Sequence, residues 1–207
     1  MTVLDRFSLR DKVIVLTGGS GLYGRQLTAA VAEAEARLVI ASRNLSQLEA
    51  VAQEENGRGY SVVCEEFNQG AEQSILALRD RVLKKFGRID GLVNNSVIRT
   101  MKGANDLVAN WEESLRVNAT GVFLMTRAFG EVMSTQKQGS IVNIGSMQGM
   151  VGPDEDLYEG TTMATPPPDY FFHKGGMINL TRYYASVLGK VLPSGFSPGA
   201  AGPDPRT

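Results

Sequence analysis

The sequence predicts an α/β fold: a single doubly wound domain with a parallel sheet in the order 3-2-1-4-5. Three observations predict it. Short apolar runs rich in β-branched residues alternate with stretches of helical periodicity. The runs have strand length, and the intervening segments are long enough for right-handed helical crossovers between parallel neighbours. The first run is followed at once by glycines, where such sheets turn into their first helix.

The elements follow in order. Lys12–Thr17 (KVIVLT) reads as a strand buried on both faces. A helix is expected from Leu22 to Ala36, a second strand at Leu38–Ser42 and a second helix at Asn44–Glu55. Tyr60–Glu65 is a weaker third strand. Ala71–Phe86 places Ile75, Leu76, Leu78, Val82 and Leu83 near helical spacing. Gly91–Asn95 is the fourth strand, Asp106–Met133 a long helical region with room for an interruption, and Ser140–Ile144 the fifth strand. The last helix is Tyr170–Leu188. Gln148–Asp169 carries Gly149, Gly152, Pro153, Gly160 and Pro166-Pro167-Pro168, which marks a long loop, of a kind that is functional or disordered. Residues 1–190 form the domain, and 191–207 an irregular Pro/Gly-rich tail.

Composition narrows the function. At about 150 residues per domain, 207 residues suit one domain. Lys and Arg number 21 against 22 Asp and Glu, so neither nucleic acid nor a membrane surface is an expected partner. One cysteine, Cys64, and one histidine, His173, exclude a disulfide framework and a Cys- or His-rich metal site; no metal is expected. No apolar run approaches the ~20 residues that span a bilayer, and the N-terminus lacks a signal-peptide pattern. The expectation is a cytoplasmic protein.

Thr17-Gly18-Gly19-Ser20-Gly21-Leu22-Tyr23-Gly24 lies between a strand and a helix. Glycines there permit a tight turn and close backbone approach to a phosphate at the helix N-terminus, a Rossmann-type dinucleotide site. Arg25-Gln26 stands where a P-loop needs Lys-Ser/Thr, which excludes a P-loop NTPase. The second strand ends Ala41-Ser42-Arg43, without the acid that holds the NAD ribose. A hydroxyl and a guanidinium suit a 2′-phosphate instead, so NADP(H) is favoured over NAD(H).

Tyr170 and Lys174 are one helical turn apart. An ammonium so placed favours the phenolate form of a tyrosine and fits it for proton transfer. No other tyrosine has a lysine four residues on. His173 beside the pair reads as a helix-surface or pocket-lining residue, and Trp111 and Cys64 as packing residues.

Taken together, these residues resemble the short-chain dehydrogenase/reductase family from about Phe7 to Gly199. The glycine loop resembles its cofactor turn. Asn68 falls where the family has an adenine-binding Asp or Asn, and Gly91-Leu92-Val93-Asn94-Asn95 resembles its fourth strand and Asn-Asn motif. Asn118, Ser146, Tyr170 and Lys174 match its catalytic tetrad. The resemblance implies that Tyr170 transfers a proton to or from the substrate oxygen and Ser146 hydrogen-bonds that oxygen. It implies that Lys174 supports Tyr170 and holds the nicotinamide ribose, and that Asn118 positions a relay water. The cofactor contacts implied are Gly18, Ser20, Gly21, Leu22, Tyr23, Gly24, Ser42, Arg43, Asn68, Asn95, Tyr170 and Lys174.

Departures keep alternatives open. The Gly18, Gly21, Gly24 spacing resembles the extended branch, which includes sugar-nucleotide-modifying enzymes. Asn95-Ser96-Val97 puts valine where the family has glycine. Ser146 and Tyr170 stand twenty-four positions apart, about twice the family's separation, and Tyr158–Met163 resembles loops of sugar-acid enzymes; that loop is expected to form part of the substrate pocket. Val191–Phe196 is too short and too broken by Pro and Gly for a sixth strand, and a classical member is expected to run roughly fifty residues further. The expected function is NAD(P)-dependent interconversion of an alcohol and a ketone on a small, sugar- or sugar-acid-like molecule. A shortened nucleotide-binding module without turnover and a sugar-nucleotide-modifying enzyme of the extended branch are the alternatives. The resemblance also implies a homodimer or homotetramer through the helices carrying Asn118 and Tyr170.

Overall fold

The structure is a computed structural model and describes residues 4–161 and 165–189. The expected tail 191–207, and the position of the sixth strand within it, lie outside the described residues. Five strands form the sheet: β1 (Val13–Thr17), β2 (Arg37–Ser42), β3 (Ser61–Glu66), β4 (Gly91–Asn94) and β5 (Ser140–Asn143). Their order is β3-β2-β1-β4-β5, and all four pairings are parallel.

The helices are α1 (Leu22–Glu33), α2 (Leu45–Gly57), α3 (Glu72–Phe86), α4 (Val108–Leu115), α5 (Gly121–Gln136) and α6 (Pro168–Leu188). Side chains of β1 alternate between two apolar layers, as a doubly covered parallel strand requires. Val13 and Val15 meet Ile75, Leu78, Phe129 and Met133 of α3 and α5. Ile14 and Leu16 meet Ala32, Leu48 and Val51 of α1 and α2. Helix α1 stops short of Ala36 because β2 must begin at Arg37; the chain reverses through Glu35 at φ 70°.

The long helical region is continuous but not uniform. A π-helical turn, Arg116–Thr120, joins α4 to α5. There the Gly121 N–H donates to the Arg116 carbonyl. A regular α-ladder would send it to Val117. The Val117 carbonyl instead accepts a 3.0 Å hydrogen bond from Gln69 Nε2. A side chain from the loop after β3 thus satisfies the group that the π turn releases, and such turns are frequent at functional sites.

Polar bonds align α6 with the sheet. Asn94 Nδ2 donates to Asn143 Oδ1 at 2.8 Å, and Asn143 Nδ2 donates to Thr181 Oγ1 at 2.8 Å. Pro168 occupies the first turn of α6, where its missing N–H costs nothing. That start places Tyr170 in the first turn and Lys174 in the second.

Candidate active site

A cleft of about 1290 Å³ opens along the carboxyl ends of the strands, where ligands of doubly wound sheets bind. Every predicted site residue lines it except Asn118. Of the loop Gln148–Asp169, Gln148 lines the cleft. A neighbouring hollow of about 650 Å³ shares Arg43, Phe67 and Asn68 with the cleft and adds Cys64 and Arg81.

Midway along the cleft, after the central strand β1, lies the glycine loop. Gly18 has φ 70°, a left-handed conformation that glycine adopts without penalty. Its N–H donates to the Ala41 carbonyl at 2.7 Å, and its carbonyl accepts from Gly21 N at 3.1 Å. A methyl group on Gly24 would overlap that carbonyl oxygen and come within 2.9 Å of the Gly18 and Gly19 carbonyl carbons. Gly21 caps α1 without a side-chain hydrogen bond, so the first-turn N–H groups have no side-chain competitor for an anion. A dinucleotide pyrophosphate fits this cradle.

Asn95 acts on the loop itself. Its Nδ2 donates to the Thr17 and Gly18 carbonyls at 3.1 and 3.2 Å. Thr17 Oγ1 accepts from the N–H groups of Asn95 and Ser96, both at 3.0 Å. Val97 lines the cleft and is part-exposed. After β2, Ser42 Oγ donates to the Asn44 carbonyl at 3.3 Å, and Asn44 caps α2 through Gln47 N. Arg43 is exposed on this rim. Asn68 Oδ1 accepts from Gly70 N at 3.0 Å.

At the β5 end of the cleft stand Ser146, Tyr170 and Lys174. The Lys174 ammonium donates to the Ile144 carbonyl at 2.5 Å and stands over the Tyr170 ring, 5.8 Å from its centroid. Lys174 is 5% exposed, and burial pushes its ammonium down to about 8. The Ser146 hydroxyl donates to Gln148 Oε1 and accepts from Gln148 N at 3.3 Å. A substrate oxygen must compete with Gln148 for that proton.

Asn118 stands apart from the other predicted residues. It is buried in the π turn, outside the cleft lining. Its Oδ1 accepts from Ile98 N, and its Nδ2 donates to the Ile98 carbonyl, both at 2.9 Å. The second Nδ2 proton goes to Ser114 Oγ at 3.0 Å. Both amide donors are therefore spent on protein. Ser114 in turn donates to Asp169 Oδ2, so a buried polar chain ties α4 to the start of α6. Trp111 packs on Phe172 at 5.3 Å in the same helix pair.

His173 is a correction to the sequence reading. It is 2% exposed, neither on the helix surface nor lining the cleft, and packs edge-on against the Tyr170 ring at 5.2 Å. Neither ring nitrogen has a hydrogen-bond partner among the described residues. Burial, helped by the Lys174 charge, holds its basicity down at about 4. The unfolded chain protonates this histidine near 6.5 while the native state does not, so native stability falls as pH drops from 6.5 toward 4. The full effect is about 3 kcal/mol. Urea unfolding at pH 7 and pH 4.5 should show that loss in the native chain and lose most of it in His173→Leu. Equal pH dependence in the two chains would contradict the assignment.

Gln69, Arg99, Ser114, Gln148 and Asp169 are the polar residues that sequence reading missed here. Their roles depend on partners brought together by the fold, such as Ser114 and Asp169, fifty-five positions apart.

A glycine cradle and a Tyr–Lys pair lining one cleft at the carboxyl ends of the strands define a dinucleotide-dependent oxidoreductase. The chain belongs to the short-chain dehydrogenase/reductase family: the short chain dehydrogenase profile matches residues 12–161. It is 29% identical to 5-keto-D-gluconate 5-reductase of Escherichia coli, over 94% of this chain and 74% of that protein. Among solved structures it resembles an NAD+-bound xylitol dehydrogenase (TM-score 0.80, 26% identity, 88% of this chain and 67% of that one). It also resembles a metagenomic short-chain oxidoreductase in complex with NADP (TM-score 0.78, 27% identity, 88% and 78%). The chain spans from 58% to 74% of the length of curated relatives. Neighbours of this fold thus bind either NAD or NADP. No helix among the described residues is long and apolar enough to cross a membrane.

Proposed function

We propose that this chain interconverts an alcohol and a ketone on a small polar substrate, with NADP(H) preferred over NAD(H). The convergence of Ser146, Tyr170 and Lys174 at one end of the cleft carries the reading. In reduction, the Tyr170 hydroxyl gives its proton to the carbonyl oxygen; in oxidation it takes the alcohol proton. Ser146 turns its hydroxyl from Gln148 to that oxygen. Lys174 supports charge at Tyr170 and holds the nicotinamide ribose. When bound, the cofactor supplies or accepts the hydride. Asn118 serves as a positioning residue through the Ile98 peptide.

The cofactor preference is supported by the absence of an acid at the end of β2 and by Arg43 on the cleft rim. A guanidinium–phosphate contact is a charge-assisted hydrogen bond worth about 1.5–3 kcal/mol. Arg43→Ala should therefore weaken NADPH binding about tenfold or more and leave NADH binding nearly unchanged. Fluorescence titration measures both; equal weakening of the two would remove Arg43 as the phosphate contact. Exposed Phe123, Phe172, Tyr183 and Val187 on α5 and α6 support a homodimer or homotetramer through these helices. A cytoplasmic location rests on composition alone.

A further inference from the structure

We propose that Arg99 recognises a carboxylate on the substrate, so that the chain acts on hydroxy acids and keto acids. The proposal rests on the carbonyl chemistry proposed above and names its substrate class. The Arg99 guanidinium stands over the ring of Tyr170, 5.7 Å from its centroid, and lines the same cleft as Ser146. A substrate whose oxygen meets the Tyr170 hydroxyl thus has a cation within reach of its far end.

The mount for this cation is rigid. Ile98, on one side, has both its N–H and its carbonyl bonded to the Asn118 amide at 2.9 Å. Thr100, on the other, donates its hydroxyl to the Asn110 carbonyl at 2.6 Å. Arg99 itself makes no hydrogen bond or ion pair among the described residues, although most arginines of the chain are paired with acids. The acid that lines the cleft is Glu66. It ends β3 opposite Ser42, at the far edge of the sheet from β5. The reacting end of the cleft is therefore cationic and uncompensated.

Charge arithmetic favours a carboxylate over a phosphoryl group. Lys174 is committed to the Ile144 carbonyl and to Tyr170, which leaves one guanidinium for the substrate. One guanidinium matches one carboxylate in charge, and its planar fork matches it in bidentate geometry. A guanidinium whose chain neighbours Ile98 and Thr100 are already hydrogen-bonded has a lower ordering cost for that contact.

The test compares keto acids with uncharged counterparts, esters or a ketose, in the full chain. Acetoacetate, levulinate and 5-keto-D-gluconate are assayed with NADPH against methyl acetoacetate, methyl levulinate and L-sorbose. The expected result is a higher kcat/KM for the acids. In Arg99→Leu the acids should lose about 10- to 100-fold in kcat/KM, mostly through KM. The uncharged partners should lose at least tenfold less, and Arg99→Lys should restore part of the difference. Saturation-transfer NMR of the same acids on the NADPH-loaded chain reads binding where turnover is slow. Equal treatment of acids and esters, equal losses in Arg99→Leu, or preference for dihydroxyacetone phosphate would overturn the proposal. So would the absence of acid binding to a chain that binds NADPH. A chain that fails to bind NADPH would overturn instead the nicotinamide reading on which the proposal rests.

Discussion

Replacing Tyr170 by phenylalanine should lower kcat by about a thousandfold, within the range for a lost general acid or base. NADPH affinity and folding should stay close to native. The Tyr170 hydroxyl has no hydrogen-bond partner among the described residues, so its removal strands no buried group. The ring keeps its edge contact with His173 and its place beneath Arg99 and Lys174. Loss of turnover with retained binding separates proton transfer from cofactor holding. A chain that turns over normally as Tyr170→Phe does its chemistry elsewhere. A native chain that binds NADPH and turns over no alcohol or ketone would be the nucleotide-binding module.

The glycine loop gives the second large effect. Gly24→Ala should destabilise the fold by about 3 kcal/mol, an overpacking cost at the upper end of the usual range. The added methyl meets the Gly18 carbonyl, a backbone group held by Gly21 N. The strand–helix turn must open to admit it, and the N-terminus of α1 then moves off the pyrophosphate position. NADPH binding should fall below detection. Gly21→Ala is the control. Its φ is −70° and ψ 174°, and its new methyl would meet only the Gly18 oxygen, at 3.4 Å. That variant should unfold within about 1 kcal/mol of native. Equal denaturation midpoints for the two variants would show that the close approach at Gly24 does not hold the loop.

The strands were legible because a sheet covered on both faces must read as short apolar runs, and KVIVLT and LVIAS do so within a residue of β1 and β2. The strand–glycine–helix turn and the placing of Tyr170 and Lys174 one turn apart on α6 were legible because each depends on local spacing. What stayed hidden depends on contacts between distant segments. The π turn at Arg116–Thr120 carries no local mark; its released carbonyl is met by Gln69, forty-eight positions upstream. Asn118 was found by its motif, yet its commitment to Ile98 could not be read from the motif. His173 looked like an exposed or cleft-lining residue because the polar face of α6 cannot be told from sequence once Ser114 draws Asp169 inward. Both Asp169 and His173 are 2% exposed on that helix.

In the proposed function, one cleft holds a phosphorylated nicotinamide dinucleotide from Arg43, across the Gly18–Gly24 turn, to the Tyr170–Lys174 pair. Fluorescence titration of the 207-residue chain with NADPH and with NADH tests it most directly. Saturable binding of both is expected, with NADPH tighter by about tenfold, the scale of one charge-assisted phosphate contact. Binding of neither would contradict it.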